Sequence, residues 1–362
     1  MNMSKILFLT IIIILKFTGY SLAFTNNNPL CAYKLDDKWN FIDYDGKLLF
    51  PAISLIDVTG YSEGFFKVKI VDDNKINWTF LNTKGKIIHI PQCDEVTLFS
   101  EGYALAVIYA DTLKDKNAKD QFFYIDTTGK KVFEESFIDA TPFKQGLAYV
   151  YKEGMRGFIN KKGELIISLE NGVGYSFSEG LAAISNAKFQ VAYINLNGEL
   201  VIDFKFDEPS EFSEELASMP SEGSFGYINK KGDFVIKPIY DDARPFRCNR
   251  AFVAAFDDSF RSTWGLIDKE GNLILDFQFL RVNDFSEGLA SVYKNGKWGF
   301  IDTTGAFIIE PKYDFAGNFK DGIALVYNKS EKKLGFINKS DEFILLINKA
   351  KKIIEFRFNQ GL

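Results

Sequence analysis

A chain of 362 residues is longer than one ordinary hydrophobic core supports, so it is either several domains or one repeat array. Hydrophobic residues make up 46% and aromatics 16%, with 37 Phe and 16 Tyr, a bias toward pleated strands rather than helices. The formal net charge is -5 with acids and bases interspersed, and the lack of a clustered cationic face argues against a nucleic-acid partner.

Along the chain, Lys5 precedes an apolar run from Ile6 to Leu15, about half the length that crosses a bilayer. Ser21-Leu22-Ala23 then offers small residues two apart, the pattern a signal peptidase reads. Residues 1–23 are therefore read as a signal peptide removed after Ala23. A retained anchor helix is the alternative, but Lys16 interrupts the run. The expected mature chain, residues 24–362, has no stable transmembrane segment and is exported to the periplasm, the cell surface or the medium. Cys31 is preceded by Asn28-Pro29-Leu30 rather than by small residues, so it carries no lipoprotein signal. With Cys93 and Cys248 it makes three cysteines, too few for a disulfide framework. They are expected to be small packed residues, with one bridge permitted after export.

A repeat dominates the rest of the chain. Trp298-Gly299-Phe300-Ile301-Asp302-Thr303-Thr304-Gly305 recurs as Trp264-Gly265-Leu266-Ile267-Asp268-Lys269-Glu270-Gly271 and as Phe225-Gly226-Tyr227-Ile228-Asn229-Lys230-Lys231-Gly232. The anchoring glycines are Gly46, Gly85, Gly129, Gly163, Gly198, Gly232, Gly271 and Gly305, and a ninth copy has Asp341 in that place. Trp39, Trp78, Trp264 and Trp298, the only tryptophans, all stand two residues before the apolar pair. A second phrase starts 14 or 15 residues after each anchor, as in Phe99-Ser100-Glu101-Gly102, Phe177-Ser178-Glu179-Gly180 and Phe285-Ser286-Glu287-Gly288.

Each phrase has a local physical reading. Trp-Gly-Phe-Ile is a strand. Asp/Asn-x-x-Gly is a tight turn in which the Asx oxygen accepts a backbone N–H and glycine supplies a positive φ. The next apolar run, such as Ala306 to Ile309, completes a hairpin. Ser-Glu-Gly is a second turn, with Asn249 replacing its glycine at little cost, whereas Glu215 predicts strain or a rearranged turn. Leu289 to Tyr293 is the third strand of the unit. The fold class is thus all-β: about nine three-stranded antiparallel meanders stacked as a propeller-like ring or an open β-superhelix. Leu30 to Lys34 reads as a lone third strand at the N-terminus. In a ring, it would complete the last copy. Residues 345–362 are a candidate C-terminal cap, with Lys349 to Phe356 either a short helix or a final strand.

Lys297-Trp298-Gly299-Phe300-Ile301-Asp302, Ile309-Glu310-Pro311-Lys312-Tyr313-Asp314 and Phe285-Ser286-Glu287-Gly288-Leu289-Ala290 resemble the bacterial WG-containing (KWG) repeats. The resemblance spans nearly the whole mature chain, although Trp is replaced by Phe, Arg or Val in the middle copies and Gly by Asn40 and Thr79 in the first two. It implies a β-rich repeat array, often exported, and no common activity.

Catalytic chemistry finds little support. His89 is the only histidine, which argues against histidine triads and His-metal clusters, and its alternation with Ile88 and Ile90 reads as a strand. Glu63, Glu101, Glu179, Glu214 and Glu287 share one repeat position, either a plain exposed turn or a polar rim. Asp43, Asp126, Asp268 and Asp302 read as turn formers, with too few oxygens for calcium. No catalytic, metal or cofactor residue is assigned. The aromatic positions read as core between units. Specificity is sought in departures from the consensus, Asp111 to Gln121 and Asp241 to Arg250. The expected function is a non-enzymatic, exported binding or scaffold protein for a protein or glycan partner. The alternatives are a self-associating envelope protein and a carboxylate-dependent carbohydrate-active enzyme.

Overall fold

A computed structural model of the protein describes residues 22–23, 31–35, 37–43, 47–72, 74–111, 113–114, 116–256 and 261–346. Gly46, most of residues 1–23 (the expected signal segment) and residues 347–362 of the expected cap at 345–362 lie outside them, while Leu345 and Leu346 end the last strand. The described residues form strands and turns and no helix.

Eight small antiparallel sheets succeed one another from Asp57 to Leu346. A ninth, from the N-terminal strands up to Lys38–Ile42, precedes them. The sheet from Arg281 to Tyr313 shows the plan. A two-residue strand, Arg281–Val282, leads to Leu289–Lys294, then to the Trp strand Lys297–Asp302, then to the outer strand Phe307–Tyr313. Neighbours in sequence are neighbours in the sheet.

The strands occupy the expected phrases, but their grouping differs. The repeat phrasing makes Leu289–Lys294 the closing strand of the copy before it, yet it pairs along its whole length with Lys297–Asp302 of the next. The reason is the two-residue turn Asn295-Gly296, with both residues left-handed (φ 53° and 82°), a geometry that twists with the flanking strands. The same frame applies at the N-terminus, where Cys31–Leu35 pairs with Lys38–Ile42. The first sheet is therefore a unit of its own rather than the missing strand of the last one.

Ring closure comes from faces, not from an exchanged strand. Alternate residues of Lys38–Ile42 point to opposite sides of the sheet. Trp39 and Phe41 pack with Leu55, Val58 and Phe66 of the next sheet. Ile42 packs with Leu325, Leu334 and Phe336 of the last. The array is a propeller, and of the two architectures open in the sequence the ring is the one observed.

Aromatic pairs hold successive sheets together. The Phe of each Trp-Gly-Phe phrase meets the Phe of the Ser-Glu-Gly phrase 19 residues on: Phe80–Phe99 at 4.4 Å, Phe158–Phe177 at 5.1 Å and Phe300–Phe319 at 4.8 Å between ring centroids. Tyr124–Phe143, Tyr193–Phe212 and Tyr227–Phe246 repeat the contact at 4.9, 5.3 and 4.8 Å. Such pairs each contribute about 0.5–1.5 kcal/mol beyond burial. Leu266 breaks the series, and Phe285 stacks instead on Phe252 at 5.5 Å.

The glycine of the Trp-Gly phrase has a packing cause. The register with the outer strand shifts between Trp298 and Phe300, which brings that strand's backbone over Gly299. A Cβ there would stand 2.6 Å from the Ile309 carbonyl oxygen. Where Thr79 replaces glycine, its hydroxyl donates to the Ile88 carbonyl, 2.5 Å away.

Candidate functional site

The hairpin pattern divides the turns between two ends of the ring. Leu289 pairs with Asp302 at one end of the sheet, and Lys294 pairs with Lys297 at the other. Both the Ser-Glu-Gly and Asp/Asn-x-x-Gly turns therefore lie at the first end, and the tight Asn-Gly turns and inserted loops at the second.

At the first end, each Ser-Glu-Gly turn is a two-residue hairpin with both central residues left-handed, as at Glu101 (φ 55°) and Gly102 (φ 89°). Ser100 and Tyr103 exchange backbone hydrogen bonds across it. Two successive left-handed residues aim their N–H groups the same way and form a small anion cradle. The preceding unit fills it. Glu63 accepts from the N–H groups of Glu101 and Gly102 at 2.6 and 2.8 Å. Glu179 accepts from Glu214 and Glu215 at 2.5 and 2.9 Å, and Glu214 from Cys248 and Asn249 at 2.6 and 2.7 Å. Glu287 accepts from Asp321 and Gly322. The adjacent serine adds a parallel link: Ser62 donates to the Phe99 carbonyl and Ser213 to the Phe246 carbonyl, both at 2.7 Å.

At four of the clamps a lysine of the receiving unit joins the glutamate. Lys161, Lys230, Lys269 and Lys339 each stand one residue after the Asx of their turn. Their Nζ atoms lie 3.2, 3.4, 3.7 and 3.6 Å from Glu101, Glu179, Glu214 and Glu287. The glutamates thus bind the ring together, a role that neither the plain-turn nor the polar-rim reading contained. The signal was the recurrence itself, but their partners lie about one repeat away in sequence. Burial raises the Glu179 carboxyl, but the two N–H groups and Lys230 outweigh it and hold it below its ordinary value.

The structure also places the other expected positions. Trp39, Trp78, Trp264 and Trp298 are buried, and the Trp78 indole N–H donates to the Asp94 carbonyl at 2.9 Å. Gly85, Gly129, Gly163, Gly198, Gly232, Gly271 and Gly305 all have φ between 78° and 86°. Gly198, Gly232, Gly271 and Gly305 also abut the outer strand of the preceding unit: a Cβ on Gly198 would lie 2.9 Å from Ile167, and one on Gly305 2.6 Å from Leu275. Asp341 keeps the turn at φ 65°. Asn249 is left-handed at 59°, and Glu215 is held at 74° in an unrearranged turn. His89 is exposed just beyond the strand Ile87–Ile88. Cys93 is buried and its thiol is pushed up to about 12 by burial and the neighbouring Asp94 and Glu95 charges. Cys248 is a half-buried turn residue packed against the core around Phe252 and Trp264. Among the described residues no group of three His, Cys, Asp or Glu is arranged to hold a metal, and no helix is long and apolar enough to cross a membrane.

The second end carries the irregular loops. Asp111 to Gln121 lies there, pinned by Asp120 accepting from the Ala110 N–H at 2.7 Å and by Lys119–Glu153 at 2.7 Å. Leu113 on it is 99% exposed and Tyr109 beside it 54%. Phe189, Phe256, Val71 and Ile76, on the corresponding turns of other units, are also exposed. Asp241 to Arg250 spans both ends: Asp241 accepts from the Phe256 N–H at the second, and Arg247 and Arg250 flank the clamp turn at the first.

The WG containing repeat matches seven times, over residues 78–108, 122–155, 157–187, 192–219, 225–254, 264–298 and 298–330, more than half of the chain. The protein belongs to the WG-containing repeat family. Its structure resembles a eukaryotic initiation factor at TM-score 0.45 and 12% identity, covering 92% of this chain and 89% of the other. It resembles BamB from Moraxella catarrhalis at TM-score 0.38 and 11% identity, with 65% and 80% covered. Kluyveromyces lactis Hsv2 gives TM-score 0.38 and 9% identity, with 69% and 98% covered. At this level no function passes from them to this WG-repeat chain. No curated protein matches.

Proposed function

We propose that this WG-repeat propeller is an exported, non-catalytic binding protein that presents its loop-bearing end to a protein or glycan. One observation carries the reading. The consensus residues are engaged in holding the ring, whereas Val71, Ile76, Tyr109, Leu113, Phe189 and Phe256, on turns of separate sheets, each expose a large apolar side chain at the second end. Exposed apolar groups grouped on one face mark contact surfaces more than isolated ones do. The repeat glutamates are bonded to backbone amides of the next unit, which does not suit them to act as an acid–base pair. Export rests on the N-terminal sequence pattern alone.

The test uses residues 24–362 as bait against solubilised envelope of the source organism, beside a Leu113→Ser/Phe189→Ser variant. Retention of one component by the parent and its loss from the equally folded variant supports the proposal. Equal retention by both removes the loop-bearing end as the contact face.

A second reading has its own observation. Outer strands leave one edge unpaired and expose Ile166, Val201, Val235, Ile308 and Ile344 at one repeat position. Exposed β-branched edges favour strand-to-strand association, so self-assembly through the outer strands is the competing role. A mature chain that stays monomeric by light scattering at millimolar concentration excludes it.

A further inference from the structure

Two clamps lack a carboxylate: Gln145 fills the next turn with its amide oxygen, which accepts from the Gly180 N–H at 2.9 Å, whereas Cys248 supplies no such oxygen. Cys248 stands in the glutamate position, so that side chain offers the next turn no carboxylate. That turn keeps the cradle geometry, with Glu287 at φ 54° and Gly288 at φ 82°. No described residue accepts a hydrogen bond from the Glu287 or Gly288 N–H. Glu287 is exposed and Gly288 half-buried, so solutes reach both.

The cation changes at the same junction. Thr303 occupies the place held elsewhere by Lys161, Lys230, Lys269 or Lys339. Arg250 reaches across instead, its Nε donating to the Thr303 carbonyl at 2.6 Å. A guanidinium is thus tied to the backbone of the residue that stands in the lysine's place. The Glu179 and Glu214 clamps show what such a cradle takes: a carboxylate on two N–H groups at 2.5–2.9 Å, with a lysine ammonium 3.4 or 3.7 Å away.

We propose that the Glu287–Gly288 turn and Arg250 form a carboxylate-binding site that accepts an acidic side chain of a partner polypeptide. The docked carboxylate takes the place of the missing glutamate of the repeat. The site lies at the opposite end of the ring from the loop-bearing face and stands independently of it.

The experiment tracks the Gly288 amide by NMR in the full mature chain labelled with 15N-glycine. Titrants are the peptide acetyl-Gly-Glu-Gly-amide, sodium acetate and inorganic phosphate at constant ionic strength. The peptide is expected to shift Gly288 saturably and more tightly than acetate or phosphate. Cys248→Glu supplies the carboxylate internally, so it is expected to move the Gly288 resonance without titrant and to abolish the peptide response. Arg250→Ala is expected to weaken the peptide roughly tenfold through loss of a charge-assisted contact, and it decides the matter should Cys248→Glu not fold. An unmoved Gly288, or a response unchanged in both variants, overturns the site. Acetate or phosphate binding as tightly as the peptide overturns the polypeptide assignment.

Discussion

Glu214 receives two backbone N–H groups of the next unit and lies 3.7 Å from Lys269. Removing it leaves both donors to water, since the clamp is partly exposed. Glu214→Ala is therefore expected to cost about 1–2 kcal/mol, read as a lowered urea midpoint at unchanged slope. The same chemistry sets a pH dependence at Glu179, whose carboxyl is held below 4.5 in the fold. A lowered folded value gives stability that is complete above the unfolded value and disappears as pH falls through the folded one. The difference in melting temperature between the parent and Glu179→Gln should be present at pH 7 and vanish toward pH 3. A gap that persists at pH 3 contradicts the charge-based account. At Cys93 the raised thiol predicts inertness: iodoacetamide at pH 8 should modify Cys248 and spare Cys93 until the protein is unfolded. At this scale the turn chemistry was legible, down to Asp341 and Asn249 accepting left-handed geometry. The glutamate's acceptor role was not, because sequence shows a residue's type and not the donor facing it.

At the scale of elements, the repeat couples each Trp strand to the next unit through one aromatic pair. Phe300 is fully buried against Phe319. Phe300→Ala should cost about 3–5 kcal/mol, a cavity in a close-packed interface. Phe300→Leu should cost less than about 1.5 kcal/mol, because Leu266 already fills the equivalent place in the neighbouring unit. Equal losses for the two would show that the aromatic contact, not volume, is what stabilises the interface. Strand positions were readable from the aromatic and β-branched runs. Their grouping was misassigned: Asn295-Gly296 is a strong hairpin signal that ties Leu289–Lys294 forward. The length variation between copies drew the unit boundary to the wrong side of that strand.

For the whole molecule, closure depends on few side chains. Ile42 is buried against Leu325, Leu334 and Phe336 of the last sheet. Ile42→Asp places a charge in that seam and should open it. Hydrogen exchange is expected to rise in 38–42 and 323–338 and to stay near parent values in 139–240, since each sheet contacts chiefly its neighbours. A uniform rise would mean that the ring unfolds as one cooperative unit.

By itself the sequence determined the repeat, the all-β class, the strands and the left-handed turn positions. Each comes from local chemistry: aromatic runs that suit a pleated surface, Asx oxygens that cap turns, and glycine that tolerates positive φ. Only the tertiary structure decided ring against open array, the sheet frame, the glutamate clamps and the end at which the irregular loops gather. Those depend on which surfaces meet across one repeat or across the whole chain. Ile42 and Leu334 are brought together by the summed rotation of all the intervening sheets, a quantity that no single phrase encodes.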